Sequence, residues 1–379
     1  MKSQMYLVIG MTVFAGCLAS VAEEPKNDYR NLTGFPKSEL APLVVERVWP
    51  KNVGEAAVCL WKDDKTVAFS VTMDDNIKSD HAWWLEQGKK FGFRFTWFVI
   101  VNNILTGVQN AGTWADFQGL INAGHDVQSH TWSHRNDKTI SVDEDYSRVI
   151  PVLGEKLTGT KPLTMAYAGG ALPNDPAVGV KYFAGARGGI GTANGPRTDW
   201  LNVNSVSSVG GIACYNIPVG TKGDWASLLP LLDPKNKNYR GWYCTHFHWM
   251  GDKADDKHYV TGKSNTVEFL EFMKNHESDY WMGLFREVVL YGQERDTAKL
   301  QVTSSTPVAI KIVLTDRMYD EWFDFPLTVR VHVPDSWKTV HAVQGGKPIH
   351  ATVAAHEGQN FVMVDIVPDK GEAVLTPQS

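Results

Sequence analysis

Asp74 and Asp75, in Thr72-Met-Asp-Asp-Asn76, precede two histidines placed four residues apart, in His130-Thr-Trp-Ser-His134. The aspartates end an apolar run, Val67 to Met73, that reads as a buried strand. The histidines follow Gly124-His-Asp-Val-Gln-Ser129, a second strand-like stretch. Two imidazoles at i and i+4 share a face where the chain turns helical, and so reach one ion. One more carboxylate makes a two-histidine, one-carboxylate facial site with open positions for water and substrate. The carboxylate left over is placed to act as a general base. This chemistry is metal-assisted hydrolysis. Singly, each motif says less: adjacent aspartates at a strand end also solvate a loop or cap the next helix, and a lone histidine is commonly structural. Their order, each at the end of a strand-like run, favours the metal site.

The elements that must position these groups alternate. A strand is expected within Ala56–Trp61 and over Val67–Met73, a helix over His81–Phe91, a strand over Phe93–Ile100 and a helix over Thr113–Asn122. His125–Ser129 reads as a strand, and Val142–Leu157 as one amphipathic helix capped by Ser141 with Glu144 three residues on. Short strands follow near Leu163–Ala168, Tyr182–Ala186 and Trp242–His248, with helices near Trp225–Leu232, Thr266–Asn275 and Tyr280–Arg295. Repeated βα alternation implies a parallel sheet, open or closed into a barrel. Sites in such folds gather at the carboxyl ends of strands, where both motifs fall. From Leu300 the helical signal gives way to β-branched alternation, as in Val308–Leu314, Leu327–Val333 and Phe361–Ile366. That tail reads as a small all-β sandwich, suited to packing and stabilisation more than to carbohydrate binding.

The two motifs resemble those of the polysaccharide deacetylases of the NodB-homology type, carbohydrate esterase family 4. The first family motif is Thr-Phe-Asp-Asp-Gly and the second is a His-Ser/Thr segment ending in another His. The resemblance spans roughly residues 55–297 and implies an irregular, incomplete (β/α) barrel. It implies that Asp74 is the catalytic base and that Asp75, His130 and His134 hold a divalent metal, zinc ahead of cobalt, nickel or manganese. Asn76 stands where the family has Gly; Asn tolerates left-handed backbone better than most residues.

Three further family features find partial counterparts. Gly241-Trp-Tyr-Cys-Thr-His-Phe-His-Trp249 reads as a strand whose alternation puts His246 and His248 on one side. The family's general-acid histidine aligns with His248, with His246 as the fallback, as core or supporting histidine otherwise. Thr164-Met-Ala-Tyr-Ala-Gly-Gly170 lies where a third motif carries an arginine against the catalytic Asp. Ala166 occupies that place, and Tyr167 and Gly169 stand beside it. The Gly169 backbone N–H suits a developing oxyanion. Arg187, after the next strand, is the candidate substitute for the missing guanidinium, with a surface-loop arginine as the plain alternative. Asp199-Trp200 is a two-residue match to the fourth motif, which orients the acid and walls the pocket. The implied reaction removes acetyl groups from an acetylated polysaccharide or oligosaccharide. The rival is a non-catalytic, secreted carbohydrate-binding protein on a decayed scaffold, for which Ala166 is the main support. A further rival keeps the metal site but hydrolyses an amide or ester that is not carbohydrate.

The 379 residues suffice for one large domain or two. A net charge of -5 argues against a nucleic-acid footprint. Fourteen Trp, twelve Tyr and sixteen Phe suit stacking on sugar faces as well as core packing. Lys2, the apolar stretch Tyr6–Ala19 and Ser20-Val-Ala22 read as an export signal cleaved after Ala22, implying a periplasmic or extracellular protein. Ala15-Gly16-Cys17 is the alternative, a lipid anchor at Cys17 and the one expected membrane contact. The organisation expected is therefore signal 1–22, deacetylase-like domain 23–297 and β-sandwich 298–379. Cys59, Cys214 and Cys244 would then allow one disulfide and one free thiol.

Overall fold

The computed structural model describes residues 28–206, 208–209, 212–213, 223–252 and 260–378. The expected export signal, Cys17 and Cys214 lie outside them. Cys59 and Cys244 are both buried.

The barrel is built on β2 (Val67–Met73), buried at all seven positions. Val67, Phe69, Val71 and Met73 pack outward with Trp84, Phe117 and Phe269, whereas Ala68 faces a separate cluster holding Phe98, Trp242 and Cys244. This double burial explains a continuous apolar run where a half-exposed strand would alternate. Parallel pairing runs from β2 through β3 (Thr96–Val99), β4 (Asp126–Ser129), β5 (Thr164–Ala166), β6 (Gly185–Gly191), β7 (Val203–Val206) and β8 (Trp242–Phe247). β8 then pairs with β2 along its whole length, Trp242↔Ala68 to Phe247↔Met73, which closes seven strands into a barrel. The irregularity lies in β9 (Tyr280–Met282), which pairs with the first half of β2 while β3 takes the second half.

Helices α1 (His81–Phe91), α2 (Val101–Leu105) and α3 (Trp114–Asn122) cover the outside, α3 starting in a Thr113/Asp116 capping box. The helix expected over Val142–Leu157 is two, α4 (Val142–Ser147) and α5 (Val149–Lys156), although its Ser141/Glu144 box forms as read. Pro151 supplies no N–H to continue the hydrogen-bond ladder there. After the single turn α6 (Pro176–Gly179), the strand expected at Tyr182–Ala186 starts only at Gly185. The segment Trp225–Leu232 is 3₁₀, with Pro230 inside it. α7 (Lys263–Asn275) follows. The helix expected over Tyr280–Arg295 divides at Gly283 into β9 and α8 (Phe285–Thr297).

Two larger antiparallel sheets lie beside the barrel among the described residues. The first runs β10 (Lys299–Thr306), β11 (Ala309–Thr315), then β17 (Ala373–Pro377), β13 (Val340–Gln344) and β14 (Lys347–Pro348). The second runs β12 (Leu327–Val333), β16 (Gln359–Ile366) and β15 (Ala351–His356), with β1 (Ala56–Val58) on its outer edge through Ala56↔Val331 to Val58↔Val329. β1 precedes the barrel in sequence yet belongs to the sandwich. α8 lies between the layers, and its residues join one core cluster with Ala68, Trp200, Val331 and Leu375. A Cβ on Gly292 would sit 2.0 Å from the Trp200 ring, so that approach of helix to barrel requires glycine. Among the described residues, no helix is long and apolar enough to cross a membrane.

Candidate active site

Asp74 and Asp75 leave the carboxyl end of β2, and the Asp74 amide donates to the Phe247 carbonyl at 2.9 Å, tying the ends of β2 and β8 together. The chain then turns through left-handed conformations at Asp75 (φ 65°) and Asn76 (φ 60°). Asn76 holds this turn through its fully buried side chain. Its Oδ1 accepts from the Ile100 amide at 2.6 Å and its Nδ2 donates to the Ile100 carbonyl at 3.2 Å. A glycine would supply the dihedral but not this clamp on the end of β3.

His130 and His134 do not sit on a helix. The segment turns left-handed at Thr131 (φ 68°), His134 (φ 57°) and Arg135 (φ 56°). Buried Asp145 of α4 shapes it, accepting from the Ser133 amide at 2.9 Å and the Ser133 hydroxyl at 2.7 Å and pairing with Arg135. A Cβ on Gly170 would lie 1.8 Å from the His134 carbonyl oxygen, so the loop after β5 needs glycine where it meets this turn. The imidazoles still converge. Nε2 of His130 and of His134 lie 3.5 and 3.3 Å from Asp75 Oδ1, and the ligand atoms of all three residues fall within 4.8 Å of one another.

This set fits a divalent ion. The Nδ1–H of buried His130 faces the Ala166 carbonyl at 2.9 Å, which leaves Nε2 with its lone pair toward Asp75. Two imidazole nitrogens and a carboxylate oxygen are donors that zinc and its neighbours take.

Arg187 rises from β6, where it is the register partner of Ala166 on β5. Its guanidinium donates to Asp74 Oδ2 at 2.5 Å with both side chains buried, and it lies 5.3 Å from the centroid of the Phe98 ring. The charge lacking at 166 therefore arrives from the neighbouring strand. Burial pushes the Asp74 carboxyl up, but the Arg187 and His130 charges outweigh it and hold it well below the usual range. Asp74 Oδ1 is buried and takes no hydrogen bond.

His246 and His248 enter the same cavity, with ring centroids 5.5 Å apart. They differ in setting. Burial and the Arg187 charge push His246 down to about 3, and its Nδ1 meets the Ser205 hydroxyl in a short contact. His248 is the more exposed, and its Nε2 stands 3.9 Å from Asp74 and 3.5 Å from Asp75. Burial also lowers His248, against the pull of those two carboxylates. For His130 the balance reverses: burial opposes its charge, yet Asp74 and Asp75 raise it.

The cavity holds about 360 Å³, and Tyr167, Gly169, Asn174 and Ile190 complete its wall. Tyr167 is fixed by donating its hydroxyl to the Leu201 carbonyl at 3.0 Å. Asp199 and Trp200 are not part of it. Asp199 folds a turn, accepting from the Leu201 amide at 3.0 Å, and Trp200 is a core residue against α8. A second cleft of about 320 Å³ shares the Asp75 and His134 wall and is bordered by Asn103, Gln109, Asn136 and Trp249. Sequence reasoning missed Asp145, Asn174 and Ser205. Only Asp145 carried a signal, its place in the first turn of a capped helix.

Residues 62–183 match the polysaccharide deacetylase family. A gellan lyase from Bacillus sp. is 32% identical over 376 residues, 95% of this chain. The chain spans 15% of that relative's length. Among solved structures, a family 4 acetyl xylan esterase from Clostridium thermocellum, in complex with a cobalt ion, is 17% identical. The alignment covers 60% of this chain and 94% of that one, with a TM-score of 0.36. A polysaccharide deacetylase from Bacillus cereus is 22% identical over 36% of this chain and 46% of its own, with a TM-score of 0.30.

Proposed function

From the match of residues 62–183 to the polysaccharide deacetylase family, we propose that the protein hydrolyses acetyl groups from a carbohydrate polymer. The observation that carries this reading is the convergence of Asp75, His130 and His134 beside Asp74, whose Oδ1 is unpartnered while Oδ2 is held by Arg187. Asp75, His130 and His134 would hold a divalent ion, zinc ahead of cobalt, nickel or manganese. Such an ion, when bound, supplies Lewis acidity and lowers the pKa of a coordinated water from about 15.7 toward about 7.

The residues of the chain divide the remaining work. Asp74 takes the proton lost as water oxygen bonds to the acetyl carbonyl carbon, Oδ1 being the open acceptor. Arg187 keeps that carboxylate ionised and fixes its direction. The Gly169 backbone faces the same cavity and is assigned to the developing oxyanion. As the carbonyl re-forms and its bond to the sugar breaks, His248 gives a proton to the departing sugar oxygen or nitrogen. Acetate and the deacetylated sugar leave. His246, held neutral and engaged with Ser205, supports His248 and does not replace it.

The paired clefts on either side of Asp75 and His134 suit a substrate longer than one sugar, and the gellan lyase relative is named for a polysaccharide. The reaction unit is assigned to residues 23–297 and an accessory role to 298–379. Export through segment 1–22, with a Cys17 anchor as the alternative, belongs to the same proposal. The ion pair from Arg187 weighs against the alternative, a binding protein on a decayed scaffold, because it supplies the charge lacking at Ala166. The test is acetate release from N- and O-acetylated polysaccharides by chelator-stripped protein with and without zinc. Zinc-dependent release is expected, and its best substrate separates the two acetyl types. Tight zinc binding with no release from any substrate refutes the proposal.

A further inference from the structure

At the amino end of the barrel, away from the histidines, a cavity of about 280 Å³ lies beneath the segment 41–48. Its charged wall is unbalanced. Asp64, just ahead of β2, is the shared partner of three guanidiniums: Arg47 Nε at 2.9 Å, Arg240 Nη2 at 3.8 Å, and Arg330 in a closer contact. Arg240 and Arg330 are 2% and 3% exposed. Both have an Nε–H that is buried without any hydrogen-bond partner. The neighbouring Arg295 is different: Asp296 and the Leu60 and Pro196 carbonyls use its donors. Asp296 is further shared with Arg197, and Glu46, the remaining acid of the cavity, is exposed on the strap.

A guanidinium does not shed its proton, so burial with too little counter-charge, here one carboxylate at Asp64 among three guanidiniums, cannot be relieved by neutralisation. Such a group is costly unless an anion with acceptor oxygens completes it. The same two side chains already hold the strap, Arg240 donating to the Val45 carbonyl and Arg330 to the Val48 carbonyl, each at 2.7 Å. One Nη of each is therefore committed to the strap and Arg330 Nη2 faces Asp64, while both Nε groups remain open.

We propose that this cavity binds a small oxyanion, whose oxygens accept from the Nε–H groups of Arg240 and Arg330, and that binding fastens the 41–48 segment over the junction of barrel and sandwich. A free inorganic oxyanion and the carboxylate of an acidic sugar share this chemistry. The site is independent of the deacetylase reading and stands or falls apart from it.

The experiment follows the thermal midpoint of the full chain in sodium sulfate, acetate and glucuronate, each titrated against chloride at matched ionic strength, with glucose as the neutral control. A saturable upward shift with an oxyanion, absent with chloride and glucose, is expected. Sulfate acting alone identifies an inorganic ligand, and glucuronate acting at lower concentration identifies a sugar acid; both support the site. Arg330→Gln should weaken the apparent affinity by about 10–100-fold, as loss of a charged hydrogen-bond partner does. Arg47→Gln, at an exposed position, should weaken it less and serves if Arg330→Gln does not fold. Asp64→Asn removes the competing internal carboxylate and should deepen the dependence, including recovery of folding by sulfate if the variant is unstable alone. Midpoints that follow ionic strength only, or a wild-type response in both arginine variants, overturn the proposal.

Discussion

Removal of Arg187 tests the reasoning about the site most directly, because its effect on folding is separable from its effect on rate. Arg187 and Asp74 have side chains 3% and 5% exposed and meet at 2.5 Å. Breaking such a buried pair by deleting one partner costs about 3–5 kcal/mol, mostly the penalty of the charge left behind. Arg187→Met strands the carboxylate, and Asp74→Asn strands the guanidinium. The double variant strands neither, so its loss should fall short of the sum by on the order of 3 kcal/mol. Denaturant unfolding of all four proteins, stripped of metal with chelator, measures this coupling without interference from a bound ion. Acetate release should disappear in all three variants, including the double variant whose stability returns. Adding Ala166→Arg to Arg187→Met should recover part of the stability, because positions 166 and 187 are register partners on adjacent strands. Additivity of the single variants to within about 0.5 kcal/mol would refute the claim that these two groups act as a pair.

Three other outcomes are expected. Asp75→Asn or His134→Ala should lower zinc affinity beyond the roughly 10–100-fold that loss of a supporting group costs, read by competition with a chromogenic chelator; unchanged affinity would place the ion elsewhere. Asn76→Gly restores the family residue but forfeits the clamp on Ile100, and a loss of about 1–3 kcal/mol in unfolding free energy is expected, with equal stability counting against the clamp. Asp316 has its carboxyl raised from 3.8 to about 8 by burial, with Asp369 beside it. The folded state thus keeps a proton that the unfolded state releases; its contribution is full below pH 3.8 and is lost as pH rises through about 8. The slope, up to about 1.4 kcal/mol per pH unit, should flatten in Asp316→Asn, and an unchanged pH profile of the melting midpoint would count against it.

What could be read from the chain depended on the range of the interaction. α1 lies at the residues expected, because its stripe of Trp84, Phe91 and neighbours and the closing Gly92 are local signals. Asp74, Asp75, His130 and His134 were visible because their chemistry restricts residue type more than geometry does. Their loop geometry was not: the i, i+4 spacing suggested a helix, whereas Asp145, remote in sequence, folds the segment through left-handed turns. Arg187 could be singled out only against the gap at Ala166, and its arrival at Asp74 depends on the β5–β6 register. Asp199-Trp200 misled because two residues carry little information, and Trp200 answers to α8. Closure of β8 on β2 and the wedge of β9 are pairings between distant segments that periodicity does not encode.

β1 has consequences for how the chain is made. Its partners on β12 are synthesised only after every strand of the barrel, so this early strand must wait with its edge unsatisfied. A chain ending after α8 would keep β1 without a sheet and leave the apolar face of α8 open to water, the condition under which strand edges recruit other chains. The barrel and the tail are thus bound to one folding event, and a recombination event that moved the barrel without the tail would deliver an aggregation-prone fragment. Inheritance of this barrel as a unit would have to include the strand before it and the sandwich after it.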